Sequence, residues 1–261
     1  MQISSSKKIY FLSDFHLGAP NYDASLIREK RIVQFLDEIK KDAAIIFIVG
    51  DLFDFWYEYR TVVPKGYTRI LGKLAELTDS GIAMHFFVGN HDMWMSGYFE
   101  KELNIPVYYE PKAFEWNGKK FLIGHGDGLG PGDEGYKFIK KIFRNKFCQW
   151  LFGILPPAVG VGLANYFSRK SRAATGQLDE HFLGEENEWL ITYCKEVLQN
   201  QYFDYLVFGH RHLPIDFKLK DGSRYINLGD WINYCTYAVF DGDNLLLQSW
   251  LPEMENKIIK A

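Results

Sequence analysis

The chain has little cysteine. Three thiols, Cys148, Cys194 and Cys235, are scattered through 261 residues without a CxxC pair. That spacing argues against a disulfide framework and for free thiols in a reducing compartment. Long apolar runs are also missing. A membrane-spanning helix needs roughly eighteen or more apolar residues in a row, and the greasiest stretch, Phe147 to Phe167, is broken by Gly153, Pro156, Pro157, Gly160 and Gly162. The opening MQISSSKKIYFLSD lacks an apolar h-region followed by a small-residue cleavage site, so no signal peptide is expected. Excess charge is absent: a formal net charge of -3 provides no bulk attraction to nucleic acid or to an anionic membrane, and only local basic patches remain. There is no internal repeat and no low-complexity tract. These absences together predict a cytoplasmic protein that does not span the membrane.

The hydrophobic fraction of 47% and charged fraction of 24% are ordinary for a globular chain. The aromatic fraction of 17% is high; it serves either a generous core or an apolar binding surface, and composition does not choose between them. Short apolar runs read as buried strands: IYFLS from Ile9, IIFIV from Ile45, MHFFV from Met84, KFLI from Lys120 and YLVF from Tyr205. Helical spacing appears over Ser25 to Ile39 and Tyr67 to Thr78. A closing group, YINL, TYAVF and NLLLQSW, reads as strands with DGD as a turn. Strands alternating with helices, then clustering, predict a mixed α/β layered domain. Leu129 to Leu198 carries no strand signal. It reads as a helical cap inserted into the core, which leaves 1–128 and 199–261 as the core and 129–198 as the insertion.

Five segments repeat one pattern, an apolar strand followed by a tight turn bearing Asp, His or Asn: Asp14-Phe15-His16, Gly50-Asp51, Gly89-Asn90-His91-Asp92, Gly124-His125-Gly126-Asp127 and Gly209-His210-Arg211-His212. Sites in open α/β sheets form at the carboxyl ends of strands, so these five ends can converge. The repeated glycine suits positive φ or close backbone approach. Carboxylate, imidazole and amide oxygen make the mixed donor set that suits Mn, Fe or Zn. Two such ions about 3.5–4 Å apart, sharing a carboxylate, can hold a hydroxide for in-line attack on phosphorus.

The five blocks, in this order, resemble the calcineurin-like metallophosphoesterases, whose pattern is D-x-H, GD, GNH[DE], GH and GHxH. The resemblance implies a four-layer αββα sandwich of two mixed sheets flanked by helices. It implies that Asp14, His16, Asp51 and His212 bind one ion and that Asp51, Asn90, His125 and His210 bind the other, with Asp51 bridging. His91 becomes the general acid or leaving-group stabiliser, and Asp92 orients its ring. Arg211 faces either the phosphate or the solvent. Asp127 supports the His125 loop. His85 and His181 read as surface or satisfied core residues.

A narrower resemblance follows from DxHL, from Gly50-Asp51-Leu52-Phe53-Asp54-Phe55-Trp56, from the stretch running from His125 through Asp133 and Tyr136, and from Leu228-Gly229-Asp230-Trp231. These look like the UDP-2,3-diacylglucosamine pyrophosphatases of lipid A synthesis, from Ile9 to about Trp250. In that family a hydroxide held by the ions attacks the UMP-side phosphorus, releasing UMP and 2,3-diacylglucosamine 1-phosphate. The implied cofactor is a pair of divalent ions, Mn²⁺ by resemblance, with donors that also accept Zn²⁺ or Fe²⁺. The implied partner is a lipid-linked nucleotide sugar, met at the cytoplasmic face of the inner membrane, with no nucleic acid and no obligate protein. Asn90, His91, Asp133, Tyr136, Arg169, Lys170 and Arg172 are the candidate substrate contacts, the last three as cations for phosphate. Phe138, Phe143, Phe147, Trp150, Leu151, Phe152, Ile154 and Leu155 form either an acyl groove or ordinary core. Lys140, Lys141, Arg144 and Lys146 form either a solvated face or a patch for anionic lipid. One block departs. The best-known branch reads GNRD, whereas His91 gives the general phosphoesterase form, which a sister branch shares. The rival expectations are a phosphodiesterase or phosphatase for nucleotides or other small phosphoesters, and a non-catalytic scaffold.

Overall fold

A computed structural model describes all residues except 1, 3, 5, 133 and 176–180, and gives the backbone alone for 165 and 169–175. The first half alternates strand and helix: β1 (Lys8–Leu12), α1 (Tyr22–Ile39), β2 (Ala43–Val49), α2 (Thr68–Asp79), β3 (Ala83–Phe87), α3 (Tyr98–Glu102) and β4 (Val107–Tyr108). A hairpin follows, β5 (Lys112–Trp116) and β6 (Lys119–Ile123). Then come α4 (Glu134–Arg144), α5 (Lys146–Ile154), α6 (Pro157–Thr175) and α7 (Trp189–Asn200). The chain closes with β7 (Tyr205–Phe208), β8 (Pro214–Lys218), β9 (Arg224–Leu228), β10 (Thr236–Phe240), β11 (Leu245–Ser249) and β12 (Ile259–Lys260).

Two six-stranded sheets result among the described residues, ordered β11-β10-β1-β2-β3-β4 and β12-β8-β9-β7-β6-β5. β1 through β4 run parallel, and so do β6, β7 and β9. The layering follows from the period-two alternation of strands. In β2, Ile45, Phe47 and Val49 face the second sheet, where they pack with Phe121, Val207 and Ile226. Ile46 and Ile48 face the other way, onto Ile32, Phe35 and Leu36 of α1 and Leu74 of α2. On the far side Leu122, Leu206 and Phe208 meet Leu190, Ile191 and Cys194 of α7. The order is therefore helix, sheet, sheet, helix. Phe11 stacks on Phe47 at 5.2 Å and on Phe121 at 6.0 Å, tying the two sheets at their centre.

The apolar strands expected from sequence all form. β4, β5, β8 and β12 were not anticipated. β5 (KAFEW) is a half-exposed edge strand whose charges hide its pattern, and β8 opens on a proline. The closing strands also divide between the sheets: β9 lies inside the second, while β10 and β11 form the edge of the first.

The expected cap, 129–198, splits in two. α7 packs into the core, as above. In α4 and α5 no residue is buried, and they stand beside α6 over the carboxyl ends of the strands. Phe138, Phe147, Trp150 and Ile154 are each at least 60% exposed, so they are neither ordinary core nor the lining of an enclosed groove. Phe152 and Phe143 do meet the core, packing on Trp94 at 4.6 and 5.5 Å. Two of the cap's cations are tethers. Lys140 binds the Asp127 carboxylate at 2.7 Å, and Arg144 binds Glu110 and the Tyr109 carbonyl.

Candidate metal centre

Each block occupies the loop after a parallel strand. Asp14 and His16 follow β1, Asp51 follows β2, and Asn90 and His91 follow β3. His125 follows β6, and His210 and His212 follow β7. The two sheets thus deliver their blocks to one rim.

The side chains meet there. His16 Nε2 lies 3.0 Å from His212 Nε2 and 3.6 Å from both Asp14 Oδ1 and Asp51 Oδ2. His212 Nε2 is 3.4 Å from the same Asp14 oxygen. On the other side Asp51 Oδ2 is 3.3 Å from His125 Nε2, which is 3.2 Å from Asn90 Oδ1, itself 3.0 Å from His210 Nδ1. Asp51 Oδ2 reaches both groups, as a bridging carboxylate must.

The backbone is bent to achieve this. Asp14, His16, Asp51, His210 and His212 all adopt positive φ, between 44 and 70°. That region is costly for residues with a Cβ and persists where the surroundings over-determine it. Of the two roles expected of the repeated glycine, Gly50 takes the positive φ and Gly89 and Gly209 take the other. Those two are needed for close approach: a Cβ on Gly89 would collide with the Asp51 carboxylate, and one on Gly209 with Ser13 and Asp14.

The donor set fits divalent cations. Asp14 Oδ1 is buried, has no hydrogen-bond partner and points into the cluster. Burial opposes ionisation of Asp14 and Asp51, yet the neighbouring histidines hold both below the ordinary carboxylate range. Burial likewise opposes charge on His125, but Asp51 draws its imidazole up to about 10. Burial and the nearby His125 push His210 down to about 4. Buried negative charge that recruits protons onto histidine is what a cation would satisfy instead. Behind the cluster, the Val49 carbonyl holds His125 Nδ1 at 2.8 Å, while carboxylates face two further rings at ion-pair distance, Asp230 Oδ2 3.6 Å from His212 Nδ1 and Asp54 Oδ1 3.7 Å from His16 Nδ1. Such outer partners fix ring orientation.

Residues 7–214 match the family of calcineurin-like phosphoesterases. The chain belongs to that family. Membership implies a hydrolase that uses divalent metal ions. Among curated relatives, the UDP-2,3-diacylglucosamine hydrolase of Porphyromonas gingivalis is 41% identical, over 95% of this chain and 99% of its own. The protein of that name from Aeromonas hydrophila is 29% identical, over 85% of this chain and 89% of its own. A solved phosphoesterase from E. coli aligns with a TM-score of 0.46 at 17% identity, over 97% of this chain and 96% of that one, a likeness too distant to carry residue roles.

Other expectations need correcting. Asp92 does not orient His91. Its carboxylate accepts from the amides of Gly89 at 2.8 Å, Leu52 at 2.8 Å and Phe53 at 3.4 Å, and so pins two metal-site loops together. The His91 ring is instead set by Asp54: Nδ1 faces its carbonyl at 2.9 Å. Arg211 faces neither phosphate nor solvent. It is buried, forks onto Glu188 at 2.9 and 3.0 Å and lies over the Trp189 ring. Asp127 does support its loop, accepting from Tyr136 at 2.6 Å as well as Lys140; the Tyr136 hydroxyl is engaged in that bond. His85 stacks on Phe47 between the sheets, and His181 is exposed. Asp133 and the side chains of Arg169, Lys170 and Arg172 lie outside the described residues.

Sequence reasoning missed the supporting roles of Asp54 and Asp230. Both stood inside quoted blocks. For Asp54 the signal is a carboxylate a few residues beyond the ligand Asp51; Asp230 is far from any ligand in sequence, and only its place just after β9 points to the same rim.

Proposed function

We propose that this chain hydrolyses the pyrophosphate bond of UDP-2,3-diacylglucosamine to UMP and 2,3-diacylglucosamine 1-phosphate. The observation that carries the reading is a mainly apolar cavity under α6. About 450 Å³ of space opens between the segment after Asp54 and the start of α6, lined by Phe55, Tyr59, Val63, Pro157, Ala158 and Val161. Its lining begins at Phe55, the residue after Asp54, whose backbone carbonyl faces His91 Nδ1. Such a volume with a mainly apolar lining suits an acyl chain, with Lys65 and Tyr67 as polar neighbours. The near full-length likeness to the P. gingivalis hydrolase supports the same substrate.

Asp14, His16, Asp51 and His212 would hold one ion, and Asp51, Asn90, His125 and His210 the other, Mn²⁺ being our choice. Bound there, a divalent pair supplies Lewis acidity and an activated water. The chain's own residues do the rest. Nδ1 of His91 faces a carbonyl, which only accepts, so it carries the proton. In the doubly protonated form the ring would also carry a proton on Nε2, which would be given to the departing sugar phosphate or would stabilise its charge. Asn90 and His91 would contact the pyrophosphate. Asp133, Arg169, Lys170 and Arg172 remain the proposed substrate contacts from the cap, and Tyr136 acts through Asp127.

No helix of the described residues is long and apolar enough to cross a membrane. The exposed apolar and basic face of α4 and α5 supports a peripheral contact with the cytoplasmic side of the inner membrane, where a diacylated substrate resides. Turnover of UDP-2,3-diacylglucosamine against UDP-GlcNAc lacking acyl chains tests the proposal. The diacyl substrate should be strongly preferred; equal rates would remove the lipid from the reading.

A further inference from the structure

The cap touches the chemistry at Ser168. This residue sits on α6, and its hydroxyl lies 3.1 Å from Asp54 Oδ2 and 3.2 Å from His91 Nδ1. Directionality follows from donor inventory. The Asp54 carboxylate only accepts, so the serine proton points at Oδ2. The serine lone pairs then face the Nδ1 proton of His91, which also reaches the Asp54 carbonyl at 2.9 Å. Asp54 and Ser168 therefore form a two-sided clamp on one imidazole nitrogen. The imidazole packs edge-on against His16 at 4.8 Å, so a tilt of the His91 ring is felt at the metal centre.

We propose that Ser168 is a positioning residue for His91, fixing its proton on Nδ1 and its ring angle when α6 is seated over the metal centre. Seating of the cap and readiness of the histidine then become one event. A substrate that lifts α6 away from the core turns the histidine's clamp off. The inference rests on the reading of His91 as the group that serves the leaving phosphate.

The test is a double-substitution cycle on the metal-loaded full-length protein. Ser168→Ala, Ser168→Thr, His91→Ala and Ser168→Ala with His91→Ala are compared on UDP-2,3-diacylglucosamine and on bis-p-nitrophenyl phosphate, with metal content measured for each. One lost hydrogen bond at a working group predicts that Ser168→Ala lowers kcat about fivefold to tenfold. KM should be little changed and metal content unaltered. Ser168→Thr keeps the hydroxyl and should restore most of the rate. In the His91→Ala background the serine substitution should have no further effect. A serine effect that persists without His91, that falls on KM alone, or that is absent in the wild-type background overturns the proposal. Failure of the wild type to cleave the diacyl substrate while cleaving the phosphodiester rejects the substrate reading alone, and the cycle is then decided on the phosphodiester.

Discussion

The core and the cap are both rich in aromatic residues, and they use them in opposite ways. In the core, Phe11, Phe47 and Phe121 are fully buried and stacked between the sheets. In the cap, Phe147 stacks on Trp150 in the open, with both rings more than half exposed. The core ring contributes apolar area removed from water and dispersion with its neighbours. The cap ring leaves its area available to something that arrives later. Similar composition thus serves stability in one place and, in the proposed reading, binding in the other. The cap is held down by a few specific ties rather than by burial: Lys140 and Tyr136 on Asp127, Tyr57 on the Gln149 carbonyl, and Trp94 on the Phe143 carbonyl.

That contrast can be broken or sharpened experimentally. The largest effect belongs to the rim between the two regions. Asp51→Asn should abolish metal binding and lower activity by roughly 10³-fold or more. Elemental analysis of the purified variant is the check, and both ions at full occupancy would contradict the bridging role. Within the core, Phe47→Ala should cost about 3–5 kcal/mol of stability through lost transfer energy and a residual cavity, read by urea unfolding. A pH effect is expected at His85, close to Phe47. Burial and the Lys112 charge push this imidazole down from 6.5 to about 4. The folded state therefore binds fewer protons than the unfolded state between those values. Its contribution is full above pH 6.5 and is lost as pH falls toward 4. His85→Gln should abolish a fall of about 1–2 kcal/mol across that window, a figure discounted for the ring's partial access to water. Parallel unfolding curves for the two proteins would refute it. The smallest stability change is expected in the cap. Trp150→Ala should move the unfolding free energy by no more than about 0.5 kcal/mol, yet weaken binding to anionic vesicles and turnover of the diacylated substrate. If it destabilises as Phe47→Ala does, cap and core are not different in kind.

Much of the fold was legible because its signals are local. Fully apolar runs such as Ile45–Val49 must be covered on both faces, and that alone demands a layered domain. The metal-site blocks were legible for the same reason, since each ligand set is written within three or four residues of a strand end. Of the missed strands, β5 carries charges and β8 opens on a proline, which blur local period, and β4 and β12 are two residues each, too short to show one. Asp92 was misread because adjacency in sequence suggested contact with His91. In the loop after β3, consecutive side chains diverge, and the carboxylate turns inward to the amides of Gly89 and Leu52.

The sequence by itself determined which residue types meet at the rim, their order along the chain, and the absence of any long uninterrupted apolar run. It did so because hydrophobic period and ligand spacing are properties of short segments. Only the tertiary structure decided which closing strand joins which sheet and that Arg211 is a buried strut on Glu188. It alone showed that α7 belongs to the core and that Ser168 reaches His91. Those outcomes depend on contacts between segments far apart in the chain, and they are set by how the layers pack and by which polar groups are left needing a partner once they do.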